Sequence, residues 1–396
     1  MAELIKREDD LNTGRKKLNE AIKDSNKAKT DASNAVATSN QAKQIAQQSD
    51  AKSDATQQQL DNIIIESGTS DAETIQARGE YDLLYQRLDA SDEQLAHGVS
   101  QVNSIEHANA KEPLEIVNYL GNIQNIHPKV LFFENQFNGF FYWMAYTPYP
   151  NGDTSAENPC IAVSNDMIHW SVPDGLINPL DPQPSYGYNS DTHLVYRGDI
   201  KQMEIWWRPH NPTTGESWLY RRTSMDGINW TPKQQVYYAP DSATDPLSPA
   251  ILFEDNKYKM WAVNRRSKEV VYLESADALN WINQEVVPIE WGDLTPWHLD
   301  VIRTDRGLEF AIQAWQRDNG NNNAELYYVL QKKEGSFTKP RMMIKKSSKP
   351  NAFDRVGIYR SSILKHPHNN QYYLFYTALG GAGYRSIALA SGSEPT

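Results

Sequence analysis

Eight residues of this 396-residue chain have side chains suited to holding a sugar: His127, Asp191, His193, Trp297, His298, Asp300, Tyr359 and Arg360. Flat aromatic faces stack on the C–H surface of a pyranose, and planar polar groups pair with its hydroxyls. The stretch TPWHLD (295–300) is the densest, with Trp297, His298 and Asp300 together. Other chemistries lack their signatures. There is no GxSxG, phosphate-binding loop, HExxH or dinucleotide fingerprint. Cys160 is alone, so neither a disulfide framework nor a cysteine metal cluster can form within the chain. The nine histidines are scattered, and His366 and His368 fall in a loop-like KHPHNN. No metal ligand set, cofactor site or catalytic residue is expected on these grounds.

Each sugar-type residue stands in or beside the first strand of a repeated unit. The repeat recurs at about 50–60 residues from Pro113 onward. Its clearest mark is a turn ending in an aromatic residue: SNDMIHW (164–170), SMDGINW (224–230), SADALNW (275–281) and the degraded KKEGSF (332–337), with SGSE (391–394) as an incomplete fifth. Ser and Asp side chains tie backbone amides in such a turn, and the Trp is then placed to pack between units. Trp170, Trp230 and Trp281 are therefore expected to be structural. Before each turn come an alternating strand, an aromatic strand such as FFYWMAY or MEIWWRP, and a first strand such as HPKVLFF or HLDVIRT. Five units of three or four short strands predict a five-bladed β-propeller. EIVNYL (115–120) is a candidate outer strand to close the ring.

The N-terminal third has a different composition. Residues 1–66 contain no Trp, Tyr, Phe, Pro or Cys. From Leu18 to Leu60 and from Ala21 to Ile63, steps of seven meet only Leu, Ile, Ala, Ser and Thr, which predicts a thin-cored left-handed coiled coil. After a break at Gly68, Tyr81, Leu88, Leu95 and Val102 restart the spacing; His97 and His107 fall outside that seam. The chain thus divides into a stem at 1–66, a second helical segment and neck at 67–114, and a propeller at 115–396. The formal net charge of −11 argues against nucleic acid, and no apolar run reaches membrane-spanning length. MAELIKREDD turns acidic too early for a signal peptide.

Two resemblances sharpen the expectation. GTSDAE through ARG to LxxRLD (68–89) resembles a segment of tail-fibre and baseplate proteins of phages of Gram-positive bacteria. The propeller resembles the arabinanase, xylosidase and invertase clan of glycoside hydrolases, and a propeller on a helical stem is similar to receptor-binding proteins of staphylococcal phages. The clan uses three carboxylates on its first three inner strands, of which hydrolysis needs an acid and a base or nucleophile. Its Asp-Pro-Xaa-Val is matched here by His127-Pro128-Lys129-Val130, Asp191 holds the second place, and Ser248 stands at the third with Asp245 three residues upstream. One carboxylate of three implies a fold without its usual turnover. The resemblances together imply a trimeric coiled-coil stem carrying an all-β propeller, located in a virion tail and made in the host cytoplasm. They imply a homotrimer that joins other tail or baseplate proteins through its stem. It would bind host cell-wall carbohydrate, glycosylated wall teichoic acid above all, without being an enzyme and without nucleic-acid or membrane partners. The alternative is a tail-associated glycan hydrolase or depolymerase of the same propeller type.

Overall fold

The computed structural model describes residues 13–34, 112–317, 323–367 and 371–393. The chain divides into two units, 1–93 and 94–396. In the first, residues 13–34 form one helix, α1, as the heptads require. All of it is exposed, including Leu18 and Ile22 on the expected seam. Among the described residues there is no coiled coil. The later heptads, the Gly68 segment, His97 and His107 lie outside the described residues.

The second unit is a five-bladed propeller of antiparallel sheets. Blade one is β1 (Asn125–Phe137), β2 (Phe140–Pro148) and β3 (Cys160–Ser164). Blade two is β4 (Tyr188–Arg197), β5 (Gln202–His210), β6 (Ser217–Ser224) and β7 (Gln234–Ala239). Blade three is β8 (Pro246–Glu254), β9 (Lys257–Asn264), β10 (Val270–Ser275) and β11 (Ile282–Val286). Blade four is β12 (Leu294–Arg303), β13 (Gly307–Gln316), β14 (Glu325–Lys332) and β15 (Arg341–Ile344). Blade five is β16 (Gly357–Lys365), β17 (Tyr372–Leu379) and β18 (Arg385–Gly392). Alternation sends one face of each strand toward each neighbouring blade, so the apolar core splits into five clusters, one per seam.

The Ser-Asp-Trp turns form as their chemistry dictates. Ser164 Oγ accepts from the amides of Asp166 and Met167, and Asp166 Oδ1 from those of Ile168 and His169. The same pattern recurs at Ser224–Asp226, and in large part at Ser275–Asp277. The residue after the Asp is left-handed each time (Met167, Gly227, Ala278), and the Trp indole donates to its carbonyl. Glycine is required at 227, because a Cβ would fall 2.3 Å from the Trp143 ring. Trp170 packs edge-on against Phe375 across the first–last seam, and Trp281 against Trp206 across the seam of blades two and three. Residues 115–120, expected as an outer strand, form none. Leu114 and Ile116 instead wedge into the closing seam, with the Leu114 amide donating to the Ile387 carbonyl at 2.8 Å.

The inner strands β1, β4, β8, β12 and β16 meet around the axis in a closed ring. Their facing edges are not laddered to one another, so backbone groups there need other partners. A side chain crosses every seam. Thr192 Oγ1 donates to His127 O at 3.0 Å, His193 Nε2 accepts from Ile251 N at 3.0 Å, and Ser248 Oγ from Leu299 N at 3.3 Å. Asp300 Oδ2 accepts from Ile363 N at 3.0 Å, and Ser362 Oγ from Val130 N at 3.0 Å. Lys129 spans the channel to Asp300 at 2.7 and 2.9 Å, both buried. Removing one partner of such a buried pair leaves an uncompensated charge, worth about 3–5 kcal/mol. Asp300→Ala should therefore lower unfolding stability by about that much in chemical denaturation, whereas exposed Glu290→Ala, whose salt bridge to Lys339 is at the surface, should change it by less than about 1 kcal/mol.

Candidate metal centre

Each inner strand carries a register shift at the same level: between Ile126 and Lys129, Ser190 and His193, Leu247 and Ala250, Pro296 and His298, and Ile358 and Ser361. Such bulges kink a strand and re-aim its side chains. In the first three blades the bulged residue is left-handed, with φ of 57° at His127, 52° at Asp191 and 54° at Ser248. Non-glycine residues adopt that backbone at a cost of about 1–3 kcal/mol each, and it concentrates at functional sites. Here it brings together at one end of the axis side chains that lie far apart in the chain.

Asp191 is the hub. Its Oδ1 lies 3.5 Å from His127 Nε2 and 3.4 Å from His298 Nδ1, and one ligand atom from each residue falls within 4.8 Å of the others. All three side chains are buried. His127 Nε2, Asp191 Oδ1 and both ring nitrogens of His298 have no hydrogen-bond partner. Buried polar atoms without hydrogen-bond partners are expensive, and imidazole nitrogens facing a carboxylate oxygen suit a cation. Ligand atoms about 2.1 Å from a tetrahedral ion stand about 3.4 Å apart, close to the two distances from Asp191 to the histidines. Two imidazoles and one carboxylate favour a divalent first-row transition ion over calcium or magnesium.

The surroundings set the ligands in place. His127 Nδ1 lies 3.0 Å from Thr147 Oγ1 and accepts from the Asp191 amide at 3.3 Å; ligation through Nε2 would require the other tautomer, in which Nδ1 gives up the amide and donates to Thr147. Asp191 Oδ2 accepts from Ser248 N at 3.3 Å, Ser190 Oγ at 3.4 Å and Arg208 Nη1 at 3.5 Å, while Oδ1 faces the two histidines and the Arg360 guanidinium, whose Nη1 is 3.5 Å away. Arg208 is itself held by Asp245 at 2.7 and 2.5 Å. Burial pushes the His127 imidazole well below its ordinary range, against the pull of Asp191, and lowers His298 in the same way. Burial works to raise the Asp191 carboxyl, but His298, His127 and Arg208 outweigh it and hold it well below the ordinary carboxylate range. Neutral imidazoles and an ionised carboxylate are the forms that bind metal.

A cavity of about 180 Å³ opens on the cluster. Of the eight residues expected from sequence, His127, Asp191, Trp297, His298 and Tyr359 line it. His193, Asp300 and Arg360 do not. All three are buried; His193 and Asp300 are seam ties, whereas Arg360 donates to Pro249 O at 3.0 Å and also reaches the cluster, with Nη1 3.5 Å from Asp191 Oδ1. One face of Trp297 is covered by the Lys268 ammonium, 4.0 Å from the ring centroid. Sequence reasoning missed Glu157, Tyr188, Arg208 and Arg265 on the cavity wall. Glu157 comes from the long β2–β3 connection, a loop length that itself signals function. It is buried, with Oε2 unpartnered, and burial pushes its carboxyl well above the ordinary range. A larger cavity of about 280 Å³ near Trp261, Tyr272 and Phe337 contains none of the expected residues.

No known protein-family profile matches the chain. A curated relative, an A type blood N-acetyl-alpha-D-galactosamine deacetylase of Flavonifractor plautii, is 28% identical over 297 residues, 62% of this chain and 38% of the relative. The chain thus spans well under half of that relative's length. Among solved structures, an N-acetylgalactosamine deacetylase from F. plautii in complex with blood group B trisaccharide superposes with a TM-score of 0.63 at 22% identity, over 71% of this chain and 94% of that one. A glycoside hydrolase gives 0.53 at 13% identity, over 72% and 92%. These superpositions establish the five-bladed fold shared with carbohydrate-active enzymes.

The expectation of a receptor-binding module without turnover, and with it the phage-tail, virion and homotrimer attributes, is overturned. The relatives named are carbohydrate-active enzymes and not tail proteins, and the axis holds a buried His-Asp-His cluster where a passive sugar cleft was expected. Where the resemblance to the hydrolase clan implied an Asp, His127 faces Asp191 and His298. Calorimetric titration of chelator-stripped protein with Zn²⁺ or Mn²⁺ should show one site per chain. Outer-shell changes in metal sites cost about 10–100-fold in affinity, so His298→Ala, which removes a ligand, should weaken binding by more than about 100-fold.

Proposed function

We propose that the propeller is a metal-dependent deacetylase acting on an N-acetylated amino sugar. The observation that carries this is the facing set of unpartnered ligand atoms on His127, Asp191 and His298, with Glu157 on the wall of the same cavity. The activity in the name of the F. plautii relative supports it, as does the carbohydrate bound by the structural neighbour. When bound, a divalent ion would act as a Lewis acid on an amide carbonyl and make water more acidic. His127, Asp191 and His298 would hold it. The Glu157 carboxyl, raised by burial, is suited to take a proton from water as it adds to the acetamide carbonyl. Returning that proton to the nitrogen as the C–N bond breaks would release acetate and a free amine. Trp297, Tyr359 and Tyr188 would supply aromatic surface for the sugar ring. The division into 1–66, 67–114 and 115–396 stands as our proposed domain organisation, with the helical segments as a carrier for the enzyme.

A second reading is glycoside hydrolysis. Asp191 and Glu157 share the cavity, one carboxyl held low and the other high, as a base or nucleophile and an acid require. The products separate the two. Incubation with N-acetylgalactosaminides should release acetate and no new reducing ends, and a chelator should abolish the reaction. Reducing ends formed in the presence of chelator would establish the hydrolase instead. Glu157→Gln should lower kcat for acetate release by about 10²–10⁴-fold, the usual contribution of general acid–base catalysis, with metal binding unchanged.

A further inference from the structure

One aromatic cluster on blade two is used by neither the core nor the metal centre. Tyr186, Trp218 and Tyr238 form a run of rings, with centroids 4.9 Å apart for the first pair and 5.8 Å for the second. Tyr186 is 37% exposed and Tyr238 44%, with Trp218 half-buried between them. Three large aromatics in contact at a surface are unusual without a ligand, since such rings are otherwise buried in a seam, as Trp143, Trp206 and Trp207 are.

The backbone places this cluster on the same end of the propeller as the metal cavity. Tyr188, on the cavity wall, pairs with His210, His210 with Ser217, and Ser217 with Ala239, one register line running outward across the whole blade. Trp218 and Tyr238 are the adjacent pair in that register. Strand spacing of about 4.8 Å puts β6 about 10 Å and β7 about 14 Å from β4. Tyr186 lies in the turn that leads to Tyr188. Gly187 permits this turn: its φ is +124°, and a Cβ there would fall 2.1 Å from the His210 carbonyl oxygen. The cluster thus lies at the same end as the cavity and farther out along the blade, and it is rimmed by hydrogen-bonding groups such as Glu216, which accepts from the Tyr238 hydroxyl.

We propose that Tyr186, Trp218 and Tyr238 form an outer saccharide subsite, so that the substrate is an oligosaccharide whose acetylated sugar enters the metal cavity while the sugars beyond it lie along blade two. This rests on the proposed deacetylase activity for the occupant of the cavity, but the subsite itself is a binding surface and can be measured without turnover. Aromatic faces stack on the apolar faces of pyranose rings, and half-exposed rings do so without rearranging the core.

The test compares a trisaccharide bearing a terminal N-acetylgalactosamine with N-acetylgalactosamine alone, by calorimetric binding and by acetate release. Wild-type protein should prefer the trisaccharide by about tenfold in affinity and in kcat/KM, an increment typical of aromatic contacts. Trp218→Ala should bring that ratio close to one while leaving N-acetylgalactosamine unaffected. Tyr238→Ala, at a more exposed position that cannot threaten the fold, should lower the ratio in the same direction. An unchanged ratio in both variants, or a wild type that binds the two sugars equally, overturns the subsite. Preferential binding that the variants abolish, without acetate release from either sugar, would keep the subsite and remove the deacetylase.

Discussion

The propeller depends on how five inner strands meet around an axis without laddering to each other. Every blade satisfies its own backbone outward, but the inner edges face a narrow channel from which bulk water is excluded. Buried backbone groups there require partners, and side chains on the neighbouring strand supply them at all five seams. The axis therefore fills with polar groups by necessity. Once polar groups are there, their charges must also balance, which Lys129 with Asp300 and Arg208 with Asp245 accomplish. Polar residues on the axis are in the first instance what closes the ring.

The His127–Asp191–His298 cluster is a local departure from that scheme. Ser248, Asp300 and Ser362 use their side-chain oxygens to bind amides across a seam, whereas His127 Nε2, both His298 ring nitrogens and Asp191 Oδ1 have no hydrogen-bond partner. The difference lies in the side chains as well as the backbone: Ser248 shares the left-handed conformation of His127 and Asp191, but its short hydroxyl still reaches the Leu299 amide across its seam. Strain of this order is small against five apolar seam cores, so the ring can sustain it. A rigid ring also limits how far the ligands can relax toward other partners.

The loops divide the remaining work. The tight Ser-Asp-Trp turns close hairpins at one end and pin the blades to each other, and they have little freedom to vary. The opposite end carries the long connections: 149–159 in blade one, which delivers Glu157, and 181–187 before β4, which delivers Tyr186. Insertions there disturb no seam, so that end can carry a buried carboxyl and exposed aromatic rings while the scaffold stays the same.

Much of the fold was legible in the residues. The spacing of Trp170, Trp230 and Trp281 follows from turn chemistry that is local, a few residues long and repeated, so it reads directly from the chain. The position of the inner strands, and hence five of the residues at the cavity, follows from that repeat. EIVNYL is apolar without being a strand, because its Ile116, with Leu114 just before it, inserts into a seam that exists only when the first and last blades meet. The stem segment and the missing clan carboxylates pointed to a binding protein, because a motif comparison can register the loss of an Asp at 127 but not what His127 faces. That is a matter of three dimensions. His127, Asp191 and His298 are far apart in the chain and have no ligand spacing that could be recognised, and Glu157 sits on a loop outside the repeat. Local hydrogen bonding and strand alternation, which depend on near neighbours, were determined by the sequence alone. Which lone pairs are left facing one another was decided only by closing the ring, because that depends on bulges and seams that bring three different blades to one point.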